Sequence, residues 1–263
     1  MVAVAVAVPL VIAALLNDRL GAAGKEVDGD HDPPGDVAGA VPAPSPVRAA
    51  RKSGDAPAVI YKPPPRDAPA RTRGGGTRGG ESEDARAVVV LAVLAPDHIG
   101  WTTRAQPTLY WYVSGASTDQ AEFALSADDR TDPVVERRIE IAGRSGFQRV
   151  RFSDLGVSLQ RGVVYEWSIA LVSDPSRRAR DVVTKGAIEL VEMPVSLGGV
   201  EQLEAAIAAG AFAEAGIWYD ALAELSEAIT AAPESGDLVR RRAELLEQVN
   251  LRDIARSERE TAP

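Results

Sequence analysis

Leu-Gln-Arg-Gly-Val-Val-Tyr-Glu-Trp, residues 159–167, is the stretch that decides the fold. It leads into the sixth of seven segments that are rich in β-branched and aromatic residues and are separated by clusters of Gly, Asp, Pro and Ser. We predict strands over 87–95, 108–114, 121–126, 134–141, 147–152, 163–172 and 182–191. Seven short strands at this spacing favour an antiparallel β-sandwich over a parallel sheet, and they place it at residues 85–193.

Two aromatic residues give this sandwich a more specific character. The stretch 159–167 resembles the tyrosine corner of immunoglobulin-like and fibronectin type III sandwiches, in which a Tyr hydroxyl bonds back to the preceding loop. Tyr165 is the corner residue in this interpretation, and Trp167 stands where disulfide-bearing members carry a Cys. With Trp111 of the segment 108–114, Trp167 is predicted to fill the space between the sheets rather than to bind a ligand.

After residue 196 the apolar residues recur at three- and four-residue steps, which predicts helices. Five residues fall at the offsets of one tetratricopeptide repeat: Gly216, Trp218, Ala221, Ala228 and Pro233. We therefore predict a tetratricopeptide-like helical hairpin with a cap helix over 196–252, so that the chain is mainly β with α. The charged tail 253–263 is predicted to fray. One repeat buries its faces poorly, so the hairpin is expected to pack on the sandwich or on a partner chain.

The first 24 residues are interpreted as a signal peptide. Residues 2–16 form an almost unbroken apolar run that is short for a membrane span, and Gly21, Ala22 and Ala23 offer small residues for cleavage. This interpretation predicts export to the periplasm or the extracellular space, with peripheral or no membrane contact after cleavage. No Lys or Arg precedes the run, so a misassigned start codon or a poorly cleaved membrane anchor stays an alternative.

Residues 25–58 are predicted to be a disordered low-complexity linker, because Pro, Gly and charged residues cannot bury enough apolar surface to offset chain entropy. The Pro- and Gly-rich stretch 59–84 has a similar composition, and within it RGGGTRGG at 73–80 resembles an RGG tract. One interpretation of that tract is contact with nucleic acid or an anionic surface, and the other is a solvated linker. The formal net charge of −9 disfavours general binding to phosphate backbones, so we predict no nucleic-acid partner.

The chain offers few groups for catalysis. It has no Cys, and its two His are His31, in an acidic stretch without spaced ligands, and His98, in a loop. Phosphate-loop, dinucleotide-binding, His-Glu-x-x-His and Gly-x-Ser-x-Gly motifs are all lacking. We predict no cofactor, no metal site and no enzymatic activity. A hydrolase built on paired carboxylates stays open, because sequence does not show which of the 38 acidic residues meet in space.

The connection after the sixth strand is the best candidate for recognition. Residues 173–181 read Ser-Asp-Pro-Ser-Arg-Arg-Ala-Arg-Asp and place Arg177, Arg178 and Arg180 between Asp174 and Asp181. The planar guanidinium suits carboxylates and phosphates, and sandwich loops often carry recognition. Two acids can neutralise two of the three charges, which leaves one for a partner. The alternative is a solvated hairpin tip.

Several motifs, in one order, resemble a bacterial family, the domain of unknown function 928 family. The resemblance runs from about residue 61 to residue 251 and implies a signal-bearing protein of unknown biochemistry, without catalytic residues to carry over. It also implies that the stretch from 61 to 79 is ordered against the sandwich, where composition alone predicts flexibility. The motifs are YKPP at 61–64 with GGGTRG at 74–79, LAP at 94–96 with TT at 102–103 and QPTLYWY at 106–112, GVSL at 156–159 through YEW at 165–167 with DP at 174–175 and RR at 177–178, and WYDAL at 218–222 with LLEQV at 245–249.

Three functions are compatible with these features. The first is a non-catalytic protein-interaction module of the cell envelope, and the second is a glycan- or cell-wall-binding sandwich. The third is the carboxylate-dependent hydrolase. Exposed Trp and Tyr would favour glycans, a large exposed apolar patch on the helices would favour a protein partner, and two carboxylates converging in a deep pocket would favour the hydrolase.

Overall fold

The computed structural model describes residues 58–64, 89–115, 120–141 and 145–261. The predictions for the signal segment 1–24, for the linker 25–57 and for residues 65–84 fall outside this part of the chain. Within it, no helix is both long enough and apolar enough to cross a membrane.

In the described part of the chain, eight strands form two sheets, one of three strands and one of five. The first sheet has the order β1-β3-β6, and the second has the order β2-β8-β7-β4-β5. All seven predicted strands are present, although β1 is shorter than its predicted segment. The strands are β1 Leu91–Val93, β2 Gly100–Thr102, β3 Thr108–Val113, β4 Gln120–Ala127, β5 Val135–Ile139, β6 Gly146–Arg151, β7 Val164–Val172 and β8 Val182–Leu190.

The strand β2 was not predicted, and it corrects the expectation of a wholly antiparallel sandwich. It has three residues and pairs in parallel with β8, so that Trp101 lies opposite Glu189. A strand this short carries no alternation that a sequence pattern could reveal. Gly100 opens it where an added Cβ would lie 2.7 Å from the ring of Tyr219, so the backbone there must approach the helix Trp218–Ala231 closely.

Trp111 and Trp167 are both fully buried, in agreement with their predicted place in the core. Trp167 stands opposite Gly186 of β8, where an added Cβ would lie 2.9 Å from the indole nitrogen. Tyr165 is also buried, and its hydroxyl accepts a hydrogen bond from the Gln160 amide at 3.0 Å. The hydroxyl thus contacts the loop that precedes its own strand.

Five helices complete the described chain: α1 Phe152–Leu155, α2 Ala205–Glu214, α3 Trp218–Ala231, α4 Gly236–Glu247 and α5 Arg252–Thr261. Helices α2 and α3 are consecutive and pack on each other. The turn between them contains Gly216 at φ +79°, a left-handed conformation that favours glycine. Trp218 and Ala221 are fully buried, Ala228 is half-buried, and Pro233 follows the end of α3.

The prediction of a frayed tail is wrong for residues 253–261, which belong to α5. Ile254 and Ala255 are buried, and Glu258 forms a buried ion pair with Arg242 of α4. Except for Glu258, the charged residues that suggested fraying occupy the outer face of an amphipathic helix, whose apolar side packs on α4.

The helices pack on the first sheet and on the edge of the second. Helix α3 contacts β2 and β3, and the Tyr112 hydroxyl of β3 lies 2.8 Å from Ser257 Oγ of α5. The Trp218 indole donates to the Leu94 carbonyl oxygen at 2.9 Å, and the Tyr219 hydroxyl donates to that of Ala187 at 2.9 Å. The helical hairpin thus packs on the sandwich of its own chain, one of the two arrangements expected from sequence.

Candidate interaction surface on the five-stranded sheet

The outer face of the five-stranded sheet is a surface of alternating small and charged residues. Along β4, Phe123 and Leu125 are fully buried between the sheets, whereas Glu122 and Ala124 are half-exposed on the other side. Strand β7 repeats the alternation, with Ser168 and Ala170 half-exposed. Period-two alternation therefore leaves this face to solvent, while the face toward the first sheet is core.

A groove of about 480 Å³ crosses this face. Its floor is made by Ala124, Ser168 and Ala170, whose small side chains leave space between the longer ones around them. Charged residues of β4, β5 and the β7–β8 connection rim the groove: Glu122, Glu136, Arg137, Arg138 and Arg178. We refer to these eight residues as the sheet groove.

Arg178 links the predicted arginine loop to the sheet groove. Its Nη2 donates to Glu122 Oε2 at 2.6 Å, and its Nε lies 2.9 Å from Asp181 Oδ2. The hydrogen bond from Arg178 holds the pKa of Glu122 below its ordinary value, with smaller contributions from the Arg178 and Arg138 charges. Arg178 is therefore engaged within the chain and shapes the end of the groove.

The other two arginines of the loop are more available. Arg177 lies 3.7 Å from Asp174, a long contact between exposed side chains. Among the described residues, no carboxylate forms an ion pair with Arg180, which is exposed. Hydrogen bonds from Ser176, with a smaller contribution from the Arg180 charge, hold the pKa of Asp174 below its ordinary value. The sequence predicted that one of the three arginine charges is left for a partner. In the structure, Arg180 is the arginine that fits this prediction.

Sequence reasoning found the arginine loop and missed the other side of the groove. Glu122 and Arg178 are 56 positions apart, so their contact depends on the pairing of β4 with β7. The signal available was the charged alternation of residues 134–141, which marks an exposed edge strand carrying Arg137 and Arg138. Nothing in the sequence placed that strand beside the loop.

Asp97, His98 and Tyr61 form a line of polar contacts that superficially resembles a catalytic triad. His98 Nδ1 lies 3.3 Å from Asp97 Oδ1, and His98 Nε2 lies 2.8 Å from the Tyr61 hydroxyl. Burial raises the pKa of Tyr61 well above its ordinary value, so this hydroxyl stays protonated and is a poor nucleophile. The contacts hold Tyr61 in place.

The observations that would favour glycan binding or a carboxylate-dependent hydrolase are weak. Every Tyr in the described chain is buried, as are three of the four Trp, and Trp101 is half-buried, so they form no exposed platform for sugars. Glu122 and Glu136 share the sheet groove, but the lowered pKa of Glu122 makes it a poor general acid at neutral pH. Within the described residues, no group of three or more His, Asp or Glu could hold a metal ion.

These features define a mixed α/β protein with two packed sheets, a helical unit on one of them and an open face on the other. A profile of one family, Domain of Unknown Function (DUF928), matches residues 73–259, and the chain therefore belongs to that family. The resemblance seen in the sequence is confirmed, although the match begins after the 61–64 motif. No curated protein matches the chain.

Proposed function

We propose that this chain is a non-catalytic interaction module of the cell envelope, and that it binds a protein partner on the sheet groove. The observation that carries the proposal is the contrast between the two outer sheet faces. In the first sheet, β3 is buried on both faces, packs against α3 and meets α5 through Tyr112 and Ser257, whereas the outward residues of β4 and of β7 as far as Ala170 are half or fully exposed. The connection between β7 and β8 bears Arg180, which forms no ion pair with a described carboxylate.

The chemistry of the sheet groove favours an acidic segment of the partner. Arg137 and Arg138 are exposed on the rim of a floor of small side chains, and Arg177 and Arg180 are exposed on the β7–β8 connection beside Arg178. A guanidinium fork binds carboxylates in a defined geometry, and a shallow floor admits a peptide backbone. The chain as a whole is acidic, so a local excess of Arg can also orient an acidic partner during approach.

We also propose that the sandwich is immunoglobulin-like and that α2 and α3 are a tetratricopeptide-like pair. The pairing of the first two strands supports the immunoglobulin-like interpretation. The chain passes from one sheet to the other between them, since β1 pairs with β3 in one sheet and β2 pairs with β8 in the other. The buried Tyr165 at the start of β7 supports it as well. Gly216 in the turn and Ala221 on the buried face of α3 support the tetratricopeptide-like interpretation.

Export is part of the proposal, and it rests on the apolar run at residues 2–16. N-terminal sequencing of the mature protein recovered from the periplasm or the medium is expected to start between Ala23 and Glu26. Recovery of the soluble chain with Met1 intact from the cytosol would count against export.

Charge reversal on the loop tests the proposed binding site. The double variant Arg177→Glu and Arg180→Glu is expected to weaken the binding of captured partners about tenfold. Each loop charge is taken to contribute about 0.7 kcal/mol to the binding free energy, and the two together amount to that factor. Wild-type binding should weaken in high salt, because exposed charges are screened. The measurement is quantitative capture from native envelope fractions at two salt concentrations. Arg178 is left unchanged because it holds Glu122 and Asp181.

Arg256→Glu is the matched control, since Arg256 is a similarly exposed cation on α5, away from the sheet groove. It should leave capture unchanged, and all variants should unfold at the wild-type denaturant concentration. Equal capture by the double variant and the wild type, with the same salt sensitivity, would show that the loop is a solvated turn.

A further inference from the structure

Residues 58–64, here called the strap, bind the helical unit as a peptide ligand would bind a receptor. The Tyr61 amide donates to Gln248 Oε1 at 2.8 Å, and Gln248 Nε2 donates to the Val59 carbonyl oxygen at 2.9 Å. One side-chain amide therefore holds the strap backbone through both a donor and an acceptor. The Lys62 amide also donates to the Ala213 carbonyl oxygen at the end of α2, at 3.0 Å. These contacts use main-chain atoms of the strap, as in the recognition of extended peptides.

Two strap side chains are buried and supply the specificity. Tyr61 is 6% exposed, meets the Trp218 ring edge-to-face at 5.1 Å between centroids and stacks on His98 at 5.9 Å. Val59 is 2% exposed, whereas Ile60 between them is 58% exposed. The strap thus presents alternate residues to the helical unit and to solvent. The site therefore accepts an aliphatic residue at the position of Val59, any residue at that of Ile60, and Tyr at that of Tyr61.

The receptor is shaped for a backbone at the next two positions. A Cβ added at Gly216 would lie 2.9 Å from the Lys62 carbonyl oxygen and 3.4 Å from Pro64, so any larger residue would push the strap away. The Lys62 ammonium lies 2.5 Å from Glu214 Oε1, and both side chains are exposed. A basic residue followed by proline therefore completes the pattern that this groove accepts.

We propose that the groove formed by Ala213, Glu214, Gly216, Trp218, His98 and Gln248 is a peptide-binding site, and that it takes a partner segment of the pattern aliphatic-x-Tyr-basic-Pro. The strap is the intramolecular occupant and competes with such a segment. A ligand on the same chain has an effective concentration on the order of millimolar, so the strap holds the site until a tighter or more concentrated peptide displaces it. This site is separate from the sheet groove and does not depend on the function proposed there.

The test uses the full chain and a fluorescein-labelled peptide of the strap sequence, Ala-Val-Ile-Tyr-Lys-Pro-Pro. In Tyr61→Ala the strap loses its main anchor, so the site becomes available to the peptide. In the wild type, the strap occupies a fraction of the sites and lowers the apparent affinity for the peptide in proportion. Fluorescence anisotropy is expected to show at least about tenfold tighter binding of the peptide to Tyr61→Ala than to the wild type. A peptide with Ala in place of its Tyr should not bind, and one with Ala in place of its Ile should bind normally.

The control on the receptor side is Gln248→Ala introduced into the Tyr61→Ala chain. Gln248 is exposed, so its removal should leave folding intact while it abolishes peptide binding. If a folded Tyr61→Ala chain does not bind the peptide, or binds it equally well without Gln248, the strap is only a structural segment and the proposal is wrong.

A second measurement covers the case in which Tyr61→Ala fails to fold. The chain has no Cys, so Glu214→Cys gives one reactive thiol beside the site, and it removes only the exposed ion pair with Lys62 from the strap contacts. A peptide that carries Cys in place of its Lys should be joined to this thiol by a short bismaleimide, and excess unmodified peptide should suppress the adduct. Absence of the adduct, or an adduct that the competitor does not reduce, would overturn the proposal.

Discussion

Replacement of Asp220 by Ala is expected to lower the free energy of unfolding by about 3–5 kcal/mol. Asp220 lies on α3, is 1% exposed and receives hydrogen bonds from the Thr102 hydroxyl at 2.5 Å and from the Thr103 amide at 2.9 Å. The Thr103 hydroxyl donates to it as well. We call the contact of Asp220 with Thr102 and Thr103 the junction between the helices and the sheets. Each hydrogen bond to a charged acceptor contributes about 1.5–3 kcal/mol, and its loss leaves a donor at the junction unsatisfied. The truncation therefore weakens the attachment of the helices to β2.

Urea unfolding followed by circular dichroism measures this effect. Asp220→Asn should fall between the wild type and Asp220→Ala, because it keeps one oxygen acceptor and places an amide against the remaining donors. Asp253→Ala is the control, since the Asp253 side chain is 90% exposed and its loss should change stability by less than about 0.5 kcal/mol. A loss below about 1 kcal/mol for Asp220→Ala would mean that the junction does not hold the two parts together.

Replacement of Glu258 by Ala is expected to cost a similar 3–5 kcal/mol, since it leaves the buried Arg242 without its counter-charge. Arg242 Nε donates to Glu258 Oε1 at 2.7 Å, and the two side chains are 8% and 4% exposed. The Arg242 guanidinium also lies 4.0 Å from the centre of the Phe147 ring of β6. Loss of the pair should therefore loosen both the contact of α5 with α4 and that of α4 with the first sheet.

A double variant separates the charge from the packing. Arg242→Met with Glu258→Leu replaces the pair by apolar side chains of similar size and should recover most of the lost stability. If the double variant is no more stable than Glu258→Ala, the cost does not come from the unpaired charge.

The same pair predicts a dependence of stability on pH. Burial raises the pKa of Glu258 above its ordinary value, although Arg242 opposes the shift. The folded chain then keeps the proton of Glu258 to higher pH than the unfolded chain, so the contribution of this group to stability is greatest in acid and falls as the pH rises through the raised pKa. Glu258→Gln should remove this fall, which unfolding at a series of pH values would show as a difference from the wild type.

The strands were predictable because each carries its own local signal, whereas the junction was not. The alternation in residues 121–126 and 163–172 and the pattern around Tyr165 identified the sandwich without knowledge of contacts. Asp220 stood within an apolar helical stripe, and a buried acid there needs partners, but nothing local identified them as Thr102 and Thr103. Thr102 ends a three-residue strand that local pattern also missed, and Thr103 follows it.

Several motifs that carry the family resemblance meet at this junction and at the strap. Thr102 and Asp220 belong to different motifs and are hydrogen-bonded. The Trp218 indole donates to the Leu94 carbonyl oxygen, and Gln248 holds Tyr61. The sequence motifs therefore describe the attachment of helices, strap and sandwich, which is why they indicated a fold without a reaction.

Site-specific photo-crosslinking tests the proposed interaction surface most directly. A photoreactive amino acid placed at Ser168 or Ala170 reports from the floor of the sheet groove, and one at Val195, which is 99% exposed on a turn outside it, is the control. The proposal predicts that irradiation of native cells gives discrete protein adducts from the two groove positions, that Val195 gives none of them, and that Arg177→Glu with Arg180→Glu reduces their yield. Adducts that are the same from all three positions, or no adducts from the groove, would contradict it.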